Sequence, residues 1–411
     1  MLWLFFRGNK NMTKLSASAI ADFKRCPTLH KLKRVDRIIP IEDPDYLRVG
    51  TNWHKLLEVA SMEPESVCPL CAKLAQSVTG CIYCCGSGFL PKDTMDLAVR
   101  FLWDAYTIGG MLVEGREVEY YTLLNSLAAY NWYWTSQEQY KTVARELEFE
   151  TPIRSMSGRA LPNVSLRGMI DKIVQNEQGQ FLVLEHKTTG SSIDSDSTFW
   201  QHLGMGVQSY LYPGTAQTMQ ADGELRGYGI TPKDPPIYGM LFDVFHKPQI
   251  KPKKLTQKDS KEFIETGVYC GQEFEVTQGA DGELKTLSVN NVITELEWGA
   301  EPKAKKDGTK KPRPFAIKET PEMFGARLLN DISERPEFYF ARREVARTDS
   351  DFGRFRRELL CIYQTMRLMK KNCGWYHCDD QCEATFKCPY MSICYADKDV
   401  SEVVPDGFKK I

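Results

Sequence analysis

Arg167-Gly168-Met169-Ile170-Asp171, followed after a turn by Phe181-Leu182-Val183-Leu184-Glu185-His186-Lys187, is the stretch from which the rest of the chain can be read. Side chains alternate along a strand, so Glu185 and Lys187 share one face and His186 takes the other. Residues 181–184 are apolar at every position, which marks a strand buried on both faces. That strand ends in charge, and an unpaired buried charge is costly. Asp171 lies on the preceding strand, across a hairpin signalled by Asn176 and Gln178-Gly179, and can reach the same pocket. Neighbouring carboxylates repel each other, and a divalent cation relieves the repulsion. Mg²⁺ would keep several of its waters there. Lys187 would orient or deprotonate one for attack on a phosphodiester, while the cation stabilises charge on the phosphate oxygens. A salt bridge at a sheet edge is the plainer reading of an Asp and an ExK taken alone.

Outward from this pair the period changes. Residues 146–153, 164–174 and 181–188 read as consecutive strands, and 238–245 as another. Residues 16–34 read as one helix capped by Ser16 or Ser18, 50–61 as a second, and 93–145 as helical and aromatic-rich. Residues 198–212 predict a helix after the ExK strand. Residues 350–371 predict a long one, with Leu359, Leu360, Ile362, Tyr363 and Met366 on its apolar face. The expectation is an α/β fold with a mixed central sheet flanked by helices.

The chain has 411 residues, 42 % of them hydrophobic, which is enough for one large domain with insertions or for two. Its formal charge of -1 announces no nucleic-acid partner, so any binding surface must be local. The apolar start, residues 1–6, is too short for a signal peptide or a membrane span, and no later segment is long and apolar enough to cross a bilayer. Residues 1–11 read as a dispensable extension, with Met12 an alternative start, and residues 12–400 as the main domain. The expected location is the cytoplasm. Lys- and Pro-rich residues 300–315 form a basic loop, and Lys305 and Lys306 within it could track phosphates, as could Arg342 and Arg343. Runs of lysine and arginine are more often plain solvated surface. The aromatic stretch 130–134 reads as core packing before base stacking.

Thirteen cysteines fall mainly in two groups, five within residues 68–85 and five within 373–394. Such grouping reads as metal sites in a reducing compartment. Cys68-Pro69-Leu70-Cys71 and Cys81-Ile82-Tyr83-Cys84 are two CxxC pairs, nine residues apart, which suits a tetrahedral Zn²⁺ site. They sit in residues 62–92, a Gly- and Pro-bearing insert too small for a core of its own, so a metal would be its main source of stability. Cys81 to Gly88 also resembles a single zinc element of the DnaJ type. Cys373, Cys378, Cys382, Cys388 and Cys394 in the tail suit zinc or an iron–sulfur cluster.

Asp171 with Glu185-His186-Lys187 resembles motifs II and III of PD-(D/E)XK nucleases of the RecB-like branch, including phage and prokaryotic stand-alone exonucleases, and the resemblance implies a restriction-endonuclease-like core. Leu15-Ser16-Ala17-Ser18 running to Cys26-Pro27, Gly50-Thr51-Asn52-Trp53-His54, and Gln208-Ser209-Tyr210-Leu211-Tyr212 resemble further motifs of that branch, in order. By this resemblance His54, Asp171 and Glu185 bind Mg²⁺ or Mn²⁺ with the His186 backbone carbonyl. Lys187 is the catalytic lysine, and Gln208 and Tyr212 position DNA or the lysine. Glu58, one turn after His54, is expected to face solvent. Cys26, Cys388 and Cys394 match a [4Fe–4S] arrangement of one cysteine before the core and three after it. Cys382 is the favoured fourth ligand and Cys378 the alternative, because the spacing departs from the family's.

The implied activity is exonucleolytic hydrolysis of DNA at single-stranded or free ends, in recombination, repair or processing. No GxxxxGK[ST] motif appears, so a helicase or recombination partner would be a separate chain. A CRISPR-adaptation-type nuclease of the same branch and a non-catalytic iron–sulfur DNA-binding scaffold are the alternatives. The intact Asp171, Glu185 and Lys187 weigh against the scaffold.

Overall fold

Long β-branched and aromatic runs in the middle of the chain form a mixed sheet, and amphipathic helices cover it. The computed structural model describes residues 13–41, 45–278, 287–294, 296–301, 313–384, 387–396, 400 and 403–411. In chain order its main elements are β1 (Thr13–Leu15), α1 (Ala17–Arg25), α2 (Asp45–Ala60), α3 (Thr94–Tyr106), α4 (Glu117–Thr135), β2 (Tyr140–Arg154), β3 (Ala160–Asn176) and β4 (Phe181–Thr189). They continue with α5 (Thr198–Met205), α6 (Gln208–Ala221), β5 (Gly239–His246), α7 (Pro321–Glu334), β6 (Phe340–Ala346) and α8 (Asp349–Asn372). The fold is mixed α/β, as the sequence implies.

The sheet runs β1-β3-β4-β5-β6, with β2 on the other edge of β3. Pairs β1/β3 and β4/β5 are parallel; β2/β3, β3/β4 and β5/β6 are antiparallel. Strand β3 is long enough to serve two partners along one edge. β1 pairs with Val164, Ser165 and Leu166, and β4 pairs with residues 172–175. Between them residues 167–171 have no ladder partner on that side among the described residues, and the sheet forks there. The main core packs on one face: Ile170, Ile173 and Val183 lie beneath Leu211, Tyr212 and Ala216 of α6 and Leu359 and Tyr363 of α8.

Three expected helices are divided, each for a local reason. Residues 16–34 break at Cys26, which is extended (φ −163, ψ 119) because Pro27 follows it. Residues 93–145 split into α3 and α4, joined by a small β-ladder between Thr107–Ile108 and Met111–Leu112. Residues 198–212 break at Gly206, and the second half runs on to Ala221. The long helix α8 stands as expected. Its apolar face is Phe355, Leu359, Tyr363, Met366 and Met369, closed by a capping box of Thr348 and Asp351. Residues 1–12, and Lys305 and Lys306 of the basic loop, lie outside the described residues.

Gly168 lies beside the fork, beneath the ring of its cross-strand neighbour Phe149 and the Tyr212 ring of α6. A Cβ there would lie 2.7 Å from Phe149 Cζ and 3.4 Å from Tyr212 Cε1. Gly168→Ala should therefore cost about 1–3 kcal/mol through overpacking, seen as a lower thermal midpoint. An unchanged midpoint would show that the Phe149 ring gives way freely.

Candidate active site

Asp171 is the last residue of the forked segment. One step beyond the registered pair Lys172/Leu184, it stands opposite Glu185. With no strand alongside, its own side chain takes up the open backbone: His186 N–H donates to Asp171 Oδ2 at 3.0 Å. The unsupported edge thus fixes the carboxylate that the sequence marked.

Glu185 is 4 % exposed. Its Oε1 accepts from Lys187 Nζ at 2.7 Å and from Gln208 Nε2 at 2.9 Å, while its Oε2 is buried with no hydrogen-bond partner among the described residues. Lys187 Nζ also donates to Gln208 Oε1 at 2.6 Å, and Gln208 Nε2 lies 3.3 Å from Tyr212 Oη. Gln208 opens α6 and Tyr212 lies one turn on, so a single helix end holds Lys187 in place.

His54 comes from α2, which rests closely on the sheet. A Cβ on Gly50 would be 3.2 Å from Thr188 Oγ1, and Trp53, fully buried, stacks on Phe245 with ring centroids 4.2 Å apart. So held, His54 Nδ1 lies 3.6 Å from Asp171 Oδ2. Burial lowers the pKa of His54, so the ring is a neutral nitrogen donor. Glu58, expected in solvent, is instead bound: Lys55 Nζ lies 2.7 Å from its Oε1 and 2.5 Å from Tyr83 Oη of the insert.

Burial raises the pKa of both Asp171 and Glu185. The His186 N–H and the Lys187 charge oppose the rise at Asp171, and the Lys187 charge opposes it at Glu185. Two carboxyls that resist ionisation, an orphaned Oε2 and a neutral imidazole form a donor set that suits a hard divalent cation. The residues present therefore fit the metal that the sequence implied.

Glu146 escaped the sequence reading. Flanked by the registered pairs Arg145/Lys172 and Leu147/Ile170, it stands opposite Asp171 on β2. Ala144 and Leu147 both face the main core, as do Ile170 and Ile173. Alternation thus slips by one residue on both strands at this level. Glu146 takes φ +47, which costs a non-glycine residue about 1–2 kcal/mol. Its carboxyl is pushed up to about 7 by burial and by the charges of Glu58 and Asp171. The three-residue apolar spacing from Ala144 to Leu147 was the signal available in the sequence.

His186 points away from Glu185, as alternation requires. It sits in register with Asp243, which is in register with Arg342, on the opposite face of the sheet. Arg342, expected at a DNA surface, is committed to that interior: its side chain is 10 % exposed, 2.8 Å from Glu138 Oε1 and stacked 4.0 Å over the Trp134 ring. Arg343 alternates to the Glu185 face and is exposed, donating to Ser195 O at 3.1 Å.

The four thiols of Cys68, Cys71, Cys81 and Cys84 are buried, and all lie within 4.8 Å of one another, so they could hold a metal ion. Backbone N–H groups of Val78 and Gly88 donate to Cys71 Sγ and Cys84 Sγ at 3.5 and 3.4 Å. Gly86 and Gly88, at φ 92 and 82, make the tight turn that aims the Gly88 N–H. In the tail, burial and the nearby thiols of Cys388, Cys26 and Cys382 push Cys394 up to about 11. Burial and the nearby Cys26 likewise push the Cys378 thiol up. This group does not close to single-ion distances, and a four-iron cube would hold its cysteines farther apart than one ion does.

Carboxylates and one lysine converging at the fork of a mixed α/β sheet define a class of metal-dependent phosphodiesterase site. Residues 14–395 match the model of the PD-(D/E)XK nuclease superfamily, and the chain belongs to that superfamily. Its members are typically phosphodiester hydrolases that use divalent metals. No curated protein matches the chain. Among the described residues no helix is long and apolar enough to cross a membrane.

Titration with Mn²⁺ in a calorimeter checks the donor set. Asp171→Asn and Glu185→Gln should each weaken binding at least about a hundredfold, roughly 2.7 kcal/mol. Glu146→Gln, beside the ion, should weaken it by about tenfold. Equal affinities in all four proteins would place the ion elsewhere.

Proposed function

We propose that the chain is a Mg²⁺- or Mn²⁺-dependent DNA nuclease of the RecB-like branch, degrading DNA from single-stranded ends. The observation that carries this reading is the unpartnered Glu185 Oε2, buried beside Asp171 and within the field of His54 while Lys187 occupies the other carboxylate oxygen. His54, Asp171 and Glu185, with the His186 carbonyl, would hold the ion. When bound, it offsets the crowded carboxylates and stabilises charge developing on the phosphate oxygens.

The protein's own groups do the rest. Lys187, braced by Glu185 and Gln208, orients the attacking water and balances negative charge as the P–O bond breaks. Tyr212 keeps Gln208 in place. Arg343, exposed on the Glu185 face, would meet backbone phosphates. The reading includes no duplex-opening activity, so a separate helicase or recombination protein would supply the ends. Action in the cytoplasm of a prokaryotic or phage-infected cell, in DNA repair or recombination, belongs to the same reading.

Two structural cofactors complete it. Zn²⁺ in the all-sulfur quartet would tie residues 62–92 together, and through Tyr83 it would steady Lys55 and Glu58 on the helix that carries His54. A [4Fe–4S] cluster on Cys26, Cys382, Cys388 and Cys394 would join the N-terminal helix to the tail. There Cys26, Cys388 and Cys394 already pack against Leu29, Ile38 and Tyr390.

Anaerobically purified protein should degrade end-labelled single-stranded DNA with Mn²⁺, and Lys187→Ala should lose at least about a hundredfold in rate. Equal rates would remove Lys187 from the reaction, and no degradation by either protein would remove the nuclease. Elemental analysis separates the two cysteine groups. Cys71→Ser should lose zinc and keep iron, while Cys394→Ser should lose iron and its visible absorption and keep zinc. Any other division would sink the assignment.

A further inference from the structure

Helix α6 opens with the two residues that brace Lys187, and Pro213 follows directly on the second of them, Tyr212. Proline has no N–H, so the carbonyl of Ser209, four residues back, has no helical donor, and the proline ring crowds that same carbonyl. The turn from Gln208 to Tyr212 is thereby uncoupled from the helix behind it. Gly206 uncouples it in front, because it is extended (φ −64, ψ 149) and ends α5. A single helical turn with a break on each side does not hold its shape unaided. Yet Gln208 has to stand still there: its Oε1 accepts from Lys187 Nζ at 2.6 Å and its Nε2 donates to Glu185 Oε1 at 2.9 Å.

One side chain from elsewhere in the fold spans both breaks. Arg347 lies between β6 and Thr348, the N-cap of α8, and its backbone N–H donates to Tyr238 O at 2.8 Å. Its Nε donates to Ser209 O at 3.1 Å, the oxygen that Pro213 leaves without a helical donor. Its Nη2 donates to Ser209 Oγ at 2.7 Å and to Gly204 O in the last turn of α5. Ser209 Oγ in turn lies 2.7 Å from Gly204 O and 2.8 Å from Gly206 O.

The guanidinium also lies 4.0 Å from the centroid of the Tyr210 ring, which stacks on Phe355 of α8 with centroids 5.4 Å apart. A planar fork with several donors can serve carbonyls on both sides of a helix break at once, which a lysine ammonium does less well. Its charge also suits the carbonyl end of α5. Among the described residues Arg347 makes no hydrogen bond to Lys187, Glu185 or Asp171, so it reaches the site only through this turn.

We propose that Arg347 is a positioning residue for the phosphodiester site: it stands in for the N–H that Pro213 lacks and so holds Gln208 against Lys187 and Glu185. The consequence for rate rests on the nuclease reading; the consequence for the turn does not.

Hydrogen–deuterium exchange on the full-length protein, read in the peptide spanning residues 207–212, tests the turn. Arg347→Met should speed exchange there at least about tenfold. Adding Pro213→Ala returns a donor to Ser209 O and should recover at least about threefold of that loss. Arg347→Lys keeps the charge and loses the fork. It should fold even where Arg347→Met does not, and still exchange at least about threefold faster than wild type in this peptide.

With Mn²⁺ and end-labelled single-stranded DNA, Arg347→Met should lower kcat about tenfold and leave KM within about twofold. On a Gln208→Ala background the same change should cost no more than about a further twofold. Wild-type exchange in Arg347→Lys, or faster exchange that Pro213→Ala does not recover, overturns the proposal. So does a raised KM with kcat intact, which would make Arg347 a phosphate contact, or a loss that adds in full to that of Gln208→Ala. If the wild-type protein degrades no DNA, the nuclease reading fails, and the exchange comparison still decides whether Arg347 holds the turn.

Discussion

The structure depends on crowding carboxylates into a sheet. Glu146, Asp171 and Glu185 stand abreast on three neighbouring strands. Sheet interiors favour apolar neighbours, and like charges directly opposite are destabilising. The chain meets this constraint by breaking its own regularity at that level. On one edge β3 has no partner among the described residues between Leu166 and Lys172, alternation slips on β2 and β3, and Glu146 leaves the ordinary backbone region. Each irregularity costs stability, and together they leave the carboxylates facing an open fork rather than one another.

The rest of the site counters the charge from above and from the side. Lys187 lies on the same face as Glu185 and neutralises one of its oxygens, and Gln208 fixes the pair. Gln208 can do so because α6 begins there, after Gly206 ends the preceding helix. Gly168 lets Tyr212 come down onto β3, and Gly50 lets α2 come down onto β4. Small residues thus mark where helices must approach, and their positions follow from the charge geometry beneath them. The thiol quartet extends the same logic outward, because its Tyr83 reaches Lys55 and Glu58 on the helix that presents His54.

How much of this was legible in sequence depends on the range of the interaction. The Asp171, Glu185 and Lys187 face follows from a two-residue period and an apolar run, both local. The thiol quartet follows from CxxC spacing, also local. His54, Gln208 and Tyr212 carry no local signal strong enough by themselves, and only the order of motifs along the chain singled them out. Cys26 was marked by the same order, yet the helix break before Pro27 was missed although it is a neighbour effect. Glu146 needed a backbone angle, and Arg342 needed to know which face of β6 is covered. Both are tertiary facts. Arg342 and Arg343 are adjacent basic residues in the sequence, and strand alternation sends one into the interior and the other to the surface.

That alternation has a consequence for β4 as a whole. Odd positions, Glu185 and Lys187, face the fork, while even positions, Leu184 and His186, face a cavity behind. The two faces are one strand apart, and their charges are felt through it. The Lys172 charge opposes the rise in the Asp171 pKa and deepens the lowering at His54, and the Asp243 charge opposes it at His54. At such separations a charge in a partly buried setting still acts with strength, because little water intervenes. The far-face cluster therefore sets part of the field in which the carboxylates of the fork ionise, and its composition is constrained by the chemistry in front. The Lys172 and Asp243 charges thus reach Asp171 and His54 from behind the strands that carry the site.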